Sequence, residues 1–266
     1  MEWYQAVVLA IVQGVTEFLP ISSSAHLALT PLLLGWPDQG LAFDVAVHVG
    51  SLSAVVFYYR QDLQHMTRSW LRSLVVGESD SNSQLVWYLA AATVPVAVTG
   101  LLANELIENE LRSVAVIATT TLVFGVLLGW ADRRAERQVK PIVLSLSIAL
   151  LIGLAQAVAP IPGVSRSGVT ITAALLLGVD RQTAARFSFL LSIPVIAIAG
   201  ALMAVDLYLA TAAVEWLPLL IAAAVSGIAA YLSIAAFLRL LDSVGLMPFV
   251  YYRIFLAGVL YLLILT

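Results

Sequence analysis

The sequence predicts an all-α polytopic membrane protein made of two inverted-topology repeats, each a re-entrant helical hairpin plus three transmembrane helices. Three observations carry this expectation: long stretches without charge, two apolar runs interrupted by proline, and a likeness between those two interruptions half a chain apart. Of 266 residues, 61% are hydrophobic and only 11% charged, where a soluble globular protein has about a quarter charged. Mean hydropathy is +0.99. A net charge of −3 without a basic cluster gives nucleic acid no footing. The lack of cysteine excludes disulfides, thiolate catalysis and thiolate metal sites. Residues 1–266 read as a single integral membrane domain, with repeat 1 at about 1–135 and repeat 2 at about 136–266.

A membrane-crossing helix needs roughly 20 apolar residues. The stretches Leu85 to Ala103, Ser113 to Trp130, Phe187 to Val205 and Trp216 to Leu238 satisfy this without a charge. Leu41 to Tyr59 also spans but carries Asp44 and His48, and a last run containing Arg253 continues to Thr266. The opening stretch, with no basic leader, reads as a first membrane element rather than a removed signal. Two regions do not fit a simple span. Trp3 to Thr16 runs into "EFLPISSS", and Pro141 to Val158 runs into "APIPGVSRSG". Proline disfavours a continuous helix in both. Backbone freed at depth must be buried in protein or line a wet cavity, so each break marks a candidate site.

An offset of 143 positions lays one break on the other. Gln13 falls on Gln156, Val15 on Val158, Ser22 on Ser165 and Ser24 on Ser167. Each half is then a broken hairpin followed by three spans, and the odd number inverts the second half. Charges agree. Arg60, Arg68 and Arg72 share a side with Arg133, Arg134, Arg137 and Lys140, two spans apart, and the positive-inside rule makes that side cytoplasmic. Arg181, Arg186 and Arg239 also fall inside. The acidic "NELIENELR", Asp206 and Glu215 fall outside. The first hairpin enters from outside and the second from inside, so their polar tips meet near the midplane. His65 reads as a solvated residue of a polar loop.

The tips gather Gln13, Glu17, Ser22, Ser23, Ser24, His26, Ser165, Arg166, Ser167 and Thr170, with Asp44 and His48 as secondary candidates. A carboxylate or guanidinium at membrane depth costs about 2.5 to 3.5 kcal/mol on insertion scales. Glu17 and Arg166 must therefore face a cavity or each other, whether as a structural pair or as a working one. The "SRS" turn, with hydroxyls, backbone N–H groups and an arginine, makes an anion cradle, although Ser165 or Ser167 would equally serve as a plain helix cap. Gln13 lies one turn before Glu17. Their oxygens suit a hard cation such as Mg2+ or Ca2+, or Gln13 bridges helices. His26 is a base or nucleophile near neutral pH, or a hydrogen-bonded packing residue. A site with arginine, cation and an activated hydroxyl or imidazole can cleave a phosphoanhydride. In a membrane, the phosphate it meets is carried on a lipid.

These motifs resemble the undecaprenyl-diphosphate phosphatase family of the bacitracin-resistance type. "QGVTE" matches its acidic first motif and runs into "FLPISSSAH", where many members have Ser-Ser-Thr-Gly-His. "PGVSRSGVT", residues 162 to 170, matches its second motif intact, and "FDVAVHVGSLSAVV" and "FSFLLSIP" match further stretches. The resemblance implies catalytic roles for Glu17, Ser23, His26 and Arg166, with Ser23 as nucleophile and His26 as rival nucleophile or base. It implies phosphate binding by Ser22, Ser165, Arg166, Ser167 and Thr170, and metal association of Glu17 with Gln13. It departs at Ser24-Ala25, in place of Thr-Gly, and at the neutral Gln13, which leaves a two-carboxylate metal site dependent on Asp44. The implied activity is hydrolysis of undecaprenyl diphosphate in a bacterial inner membrane, with the site open to the periplasm. The implied partners are the polyprenyl diphosphate and membrane lipids, not nucleic acid. A homodimer and a lipid-flipping role at the same midplane site both stay open.

Overall fold

A computed structural model describes residues 2–37, 39–137, 140–209 and 216–265. Among them are twelve helices and no strand. Six are long and apolar enough to cross a membrane: α3 (Leu41–Tyr58), α5 (Ser81–Leu102), α7 (Val114–Glu136), α10 (Arg181–Leu209), α11 (Trp216–Val244) and α12 (Met247–Leu265). Their outward faces carry Val126, Leu220, Leu232, Phe255 and Leu262 in the open, apolar surface that water would not tolerate but acyl chains would. α7, α10 and α11 outrun their charge-free windows, so that Arg133 and Arg134 form the last turn of α7 instead of a loop. Their charge there complements the helix dipole. Glu215 lies outside the described residues, as does Thr266.

Both expected breaks occur. α1 (Trp3–Phe18) stops before Pro20, and α2 (Ser23–Leu34) starts three residues after that proline. α8 (Leu146–Gln156) stops before the two prolines, and α9 (Arg166–Leu176) starts after them. α1 and α8 begin 143 positions apart, and so do α2 and α9. The same offset relates Ser22 (φ +73°) and Ser165 (φ +70°), which among the described residues are the non-glycine positions of positive φ. An L-residue adopts that conformation at a cost, and two at matched positions indicate one turn used twice. The packing exchanges in the same way. α1 lies on α11 while α8 lies on α5, and α3 packs on α11 while α10 packs on α5. α3 also meets α10, and α7 meets α12.

Small residues let these backbones approach. A Cβ on Gly14 would strike the Ser226 carbonyl of α11, and one on Gly153 would sit 2.6 Å from the Ala92 carbonyl of α5. The polar loop expected around His65 is instead helix α4 (Arg60–Val76). Leu63, Met66 and Trp70 recur at helical spacing, and the first two pack toward the core beside Leu89. The short α6 (Asn104–Glu110) covers the acidic segment.

One end of the bundle is tied by charge. Arg181 Nε donates to the buried Asp132 Oδ1 at 2.6 Å, and its Nη2 to Glu136 at 2.7 Å. Asp132 Oδ2 accepts from the Leu246 amide at 3.2 Å, and Arg186 meets Asp62 at 2.9 Å. Arg181 and Arg186, two of the arginines assigned to one side by loop charge, thus each meet an acid from the segments around Arg133 and Arg60. Arg181→Met would strand the Asp132 carboxylate, and is expected to cost about 3 kcal/mol, read as a lowered midpoint of thermal unfolding in detergent.

Candidate functional site

Glu17 closes the last turn of α1, one turn beyond Gln13, and both side chains are buried. Glu17 Oε2 accepts from Gln13 Nε2 at 3.0 Å and from Ser23 Oγ at 2.7 Å. Ser23 is the first residue of α2, so the break turns the chain until its hydroxyl faces back to the acid. From the other hairpin, Arg166 Nη2 reaches Glu17 Oε1 at 3.4 Å, its Nη1 donates to the Ser188 carbonyl at 3.1 Å, and its guanidinium lies 5.9 Å from the Phe18 ring centroid. Both charged side chains are about nine-tenths buried. The pairing is single and long, so much of the guanidinium's donor set stays available, and Glu17 Oε1 is less engaged than Oε2.

The hydroxyls of the second break are more committed. Ser165 Oγ accepts from the Gly168 amide at 3.1 Å, the cap foreseen as one alternative. Ser167 Oγ donates to the Leu19 carbonyl of the first break at 2.9 Å, and Thr170 Oγ1 pairs with Ser188 Oγ at 2.7 Å. Ser165 thus caps α9, Ser167 ties the two tips together, and Thr170 seats α9 on α10. Ser22 Oγ pairs with Ser24 Oγ at 3.1 Å. His26 faces α12: its Nδ1 lies 2.7 Å from the Ser22 carbonyl and its Nε2 2.6 Å from Tyr252 Oη. Asp44 and His48 do not join the cluster. His48 Nδ1 lies 2.7 Å from the Asp44 backbone carbonyl, and the Asp44 carboxylate accepts from Gln39 at 3.2 Å. The contact described for the Asp44 carboxylate is thus with Gln39 and not with Glu17, and among the described residues no three His, Cys, Asp or Glu side chains gather as a metal cage. Gln13 Oε1, however, is buried without a partner.

Arg253 is the residue that sequence reasoning undervalued. It is fully buried, one of the largest such side chains. Its Nε donates to Thr121 O (3.1 Å), its Nη1 to Pro20 O (3.2 Å), and its Nη2 to Gly163 O (2.8 Å), Val164 O (3.2 Å) and Thr120 O (3.4 Å). One cation thereby satisfies carbonyls freed by both breaks. A Cβ on Gly125 would sit 3.0 Å from its own Cβ, so glycine makes its berth on α7. The signal was present, because the rule that singles out Glu17 and Arg166 applies equally to an arginine inside the last apolar run. A groove of ≈ 660 Å³ between α3 and α11, lined by Val49, Gly50, Phe57, Ala223 and Tyr231, is apolar and touches none of these residues.

Fold and cluster together define a class: an all-helical, multi-pass membrane protein with an acid, an under-used arginine and a hydroxyl joined where two broken hairpins meet. The comparison with known proteins makes this specific. The chain belongs to the bacitracin resistance protein BacA family, whose model matches residues 6–259. It is 55% identical to an undecaprenyl-diphosphatase of Teredinibacter turnerae, over 98% of this chain and 99% of that protein. It is 54% identical to one of Chromohalobacter salexigens, over 98% of each, and 52% identical to one of Saccharophagus degradans, over 99% of each. Arg253→Met would leave the carbonyls of both breaks without donors, and is expected to cost about 3 kcal/mol or more, checked by thermal unfolding in detergent against Arg253→Lys.

Proposed function

We propose that this protein is an integral-membrane undecaprenyl-diphosphatase. It removes the terminal phosphate of undecaprenyl diphosphate, giving undecaprenyl phosphate and inorganic phosphate. The lipid carrier of cell-wall synthesis is thereby recycled, and sensitivity to bacitracin falls. The single observation that carries this reading is the meeting of Ser23 Oγ and Arg166 Nη2 on one buried carboxylate, Glu17. Family membership and the names of the relatives point to the same reaction.

Arg166 offers its open N–H groups to the terminal phosphoryl oxygens. The starts of α2 and α9, at Ser23 and Arg166, add first-turn amides and the positive ends of two helix dipoles. Ser23 is the nucleophile this geometry favours, since its hydroxyl already donates to Glu17 at 2.7 Å, whereas His26 Nε2 is engaged by Tyr252. Ser23 Oγ attacks phosphorus and gives its proton to Glu17. The bond to the bridging oxygen breaks, and undecaprenyl phosphate leaves with the electron pair. Water then releases phosphate from the serine, whose proton returns from Glu17. Ser22, Ser165, Ser167 and Thr170 shape the cradle around this exchange.

A divalent cation, Mg2+ or Ca2+, fits the unpartnered Gln13 Oε1 and the less engaged Glu17 Oε1. With one carboxylate to hold it, it would rely on the diphosphate's own oxygens for most of its ligands. When bound it supplies charge stabilisation to the phosphoryl oxygens.

The same proposal takes the hairpins as re-entrant and the two halves, about 1–135 and 136–266, as inverted repeats of one domain in a bacterial inner membrane. The first hairpin's mouth is marked by the Tyr4–Trp36 ring contact at 6.0 Å. The second is marked by the Ile142 amide on the Gly178 carbonyl at 2.8 Å, beside the Arg181–Asp132 pair. That pair belongs to the charged, cytoplasmic end, which puts the first mouth at the periplasmic end. A cytoplasm-active reporter fused after Thr266 is expected to stay silent, and a strong signal would overturn the layout.

Purified protein in detergent is expected to release phosphate from undecaprenyl diphosphate with no second compartment present. Arg166→Ala and Glu17→Ala should lower that rate at least about a hundredfold while still inserting and eluting normally, and a chelator should suppress it reversibly. A protein that only carries the lipid across the bilayer would release none, and full activity in Arg166→Ala would defeat the assignment.

A further inference from the structure

We propose that Tyr252 is a positioning residue for His26, fixing which ring nitrogen works and where it points, and that the neighbouring Arg253 sets its place. This rests on the phosphatase reading above and adds one role to it: His26 Nε2 is the base for the water that releases phosphate from Ser23.

The inference starts from the two hydrogen bonds of the imidazole. A carbonyl can only accept, so the 2.7 Å contact with the Ser22 carbonyl requires a proton on Nδ1. In the neutral ring Nε2 is then the nitrogen with the free lone pair, and Tyr252 Oη, at 2.6 Å, must donate to it. The two rings also stack, with centroids 5.6 Å apart and planes 9° from parallel. Hydrogen bond and stacking restrain different motions of the ring: the first its rotation in plane, the second its tilt.

The Ser22 carbonyl is itself held, because Ser22 lies in the positive-φ turn between α1 and α2. Tyr252 is held from the other side. Its neighbour Arg253 points into the protein and bonds carbonyls of both breaks and of α7, which pins the rotation and height of α12 against the first hairpin. Consecutive helical residues point about 100° apart, so fixing Arg253 inward turns Tyr252 toward His26. Tyr252 remains partly exposed, 39% by area. Arriving phosphoryl oxygen or water can therefore reach the phenol without unpacking the core. The phenol holds Nε2 until a water O–H takes its place as donor.

Tyr252→Phe removes one oxygen and keeps the stacking ring. It is expected to lower kcat about tenfold with KM changed less than about twofold. In a His26→Ala background the same change should alter kcat by less than about twofold, because the hydroxyl acts through the imidazole. A second readout does not need activity. With ¹⁵N-histidine labelling, the chain's three histidines are few enough to assign His26 as the signal lost in His26→Ala. Wild type should show a protonated Nδ1 and a hydrogen-bonded Nε2, and in Tyr252→Phe only the Nε2 resonance should move. Wild-type kcat in Tyr252→Phe, multiplicative losses in the double variant, or an unmoved His26 signal would each overturn the proposal. Wild-type protein that releases no phosphate would instead defeat the phosphatase reading, and leave the spectroscopic arm to decide this one.

Discussion

Backbone carbonyls released inside a packed protein have no water to turn to, and the architecture depends on how this chain answers that constraint. Two helices stop at prolines, and the freed carbonyls of Pro20, Gly163 and Val164 converge on the guanidinium of Arg253. A cation at depth and loose carbonyls are each costly alone, and together they cancel. The solution has geometric force. Because one planar group touches both breaks, it fixes the distance between them, and so the distance at which Arg166 meets Glu17. The two buried arginines divide the labour. Arg253 has its donors spread over five carbonyls, while Arg166 makes one bond to a carbonyl and one long contact with an acid. A saturated guanidinium holds structure, and an unsaturated one waits for oxygen from elsewhere.

The two breaks share a skeleton and differ in chemistry. Ser22 and Ser165 take the same strained turn, and the helices after them begin at matched positions. At the first helical residue after the break one half has Ser23 and the other Arg166. Where the first has Glu17 the second has Pro160, and where the first has His26 the second has Val169. One backbone device thus delivers a hydroxyl from one side and a guanidinium from the other onto a single acid. Gln13 and Gln156, the matched amides, each keep one buried oxygen without a partner.

Much of this was legible in the sequence, for physical reasons that particular residues make plain. The spans were visible because a charge-free window of that length has few other uses. The breaks were visible because proline and "SRS" are out of place in such a run. Glu17, Ser23 and Arg166 were readable as a group because depth makes an ionised side chain costly unless it is answered. What the chain hid was contact at a distance. Nothing in "YYRIF" says that Tyr252 will stack on a histidine more than two hundred positions earlier, or that Arg253 needs no acid because it binds carbonyls. Asp44 looked like a second carboxylate for Glu17 only because both are acids in apolar runs, and their helices carry them to different partners. The helix at Arg60–Val76 was masked by its polarity, although Leu63, Met66 and Trp70 kept its period.

The interleaving of the two halves of the chain bears on how it is made. α1 finds its main neighbour in α11, whose first residue is synthesised some two hundred positions later. α12, which carries the arginine that closes both breaks, leaves the ribosome last of all. The amino-terminal hairpin, with its acid and three serines, therefore cannot reach its final environment during synthesis and must rest in a provisional one. Assembly is in this sense simultaneous: no half of the polypeptide is a finished unit for the other to dock against, and the earliest part made is among the last to settle.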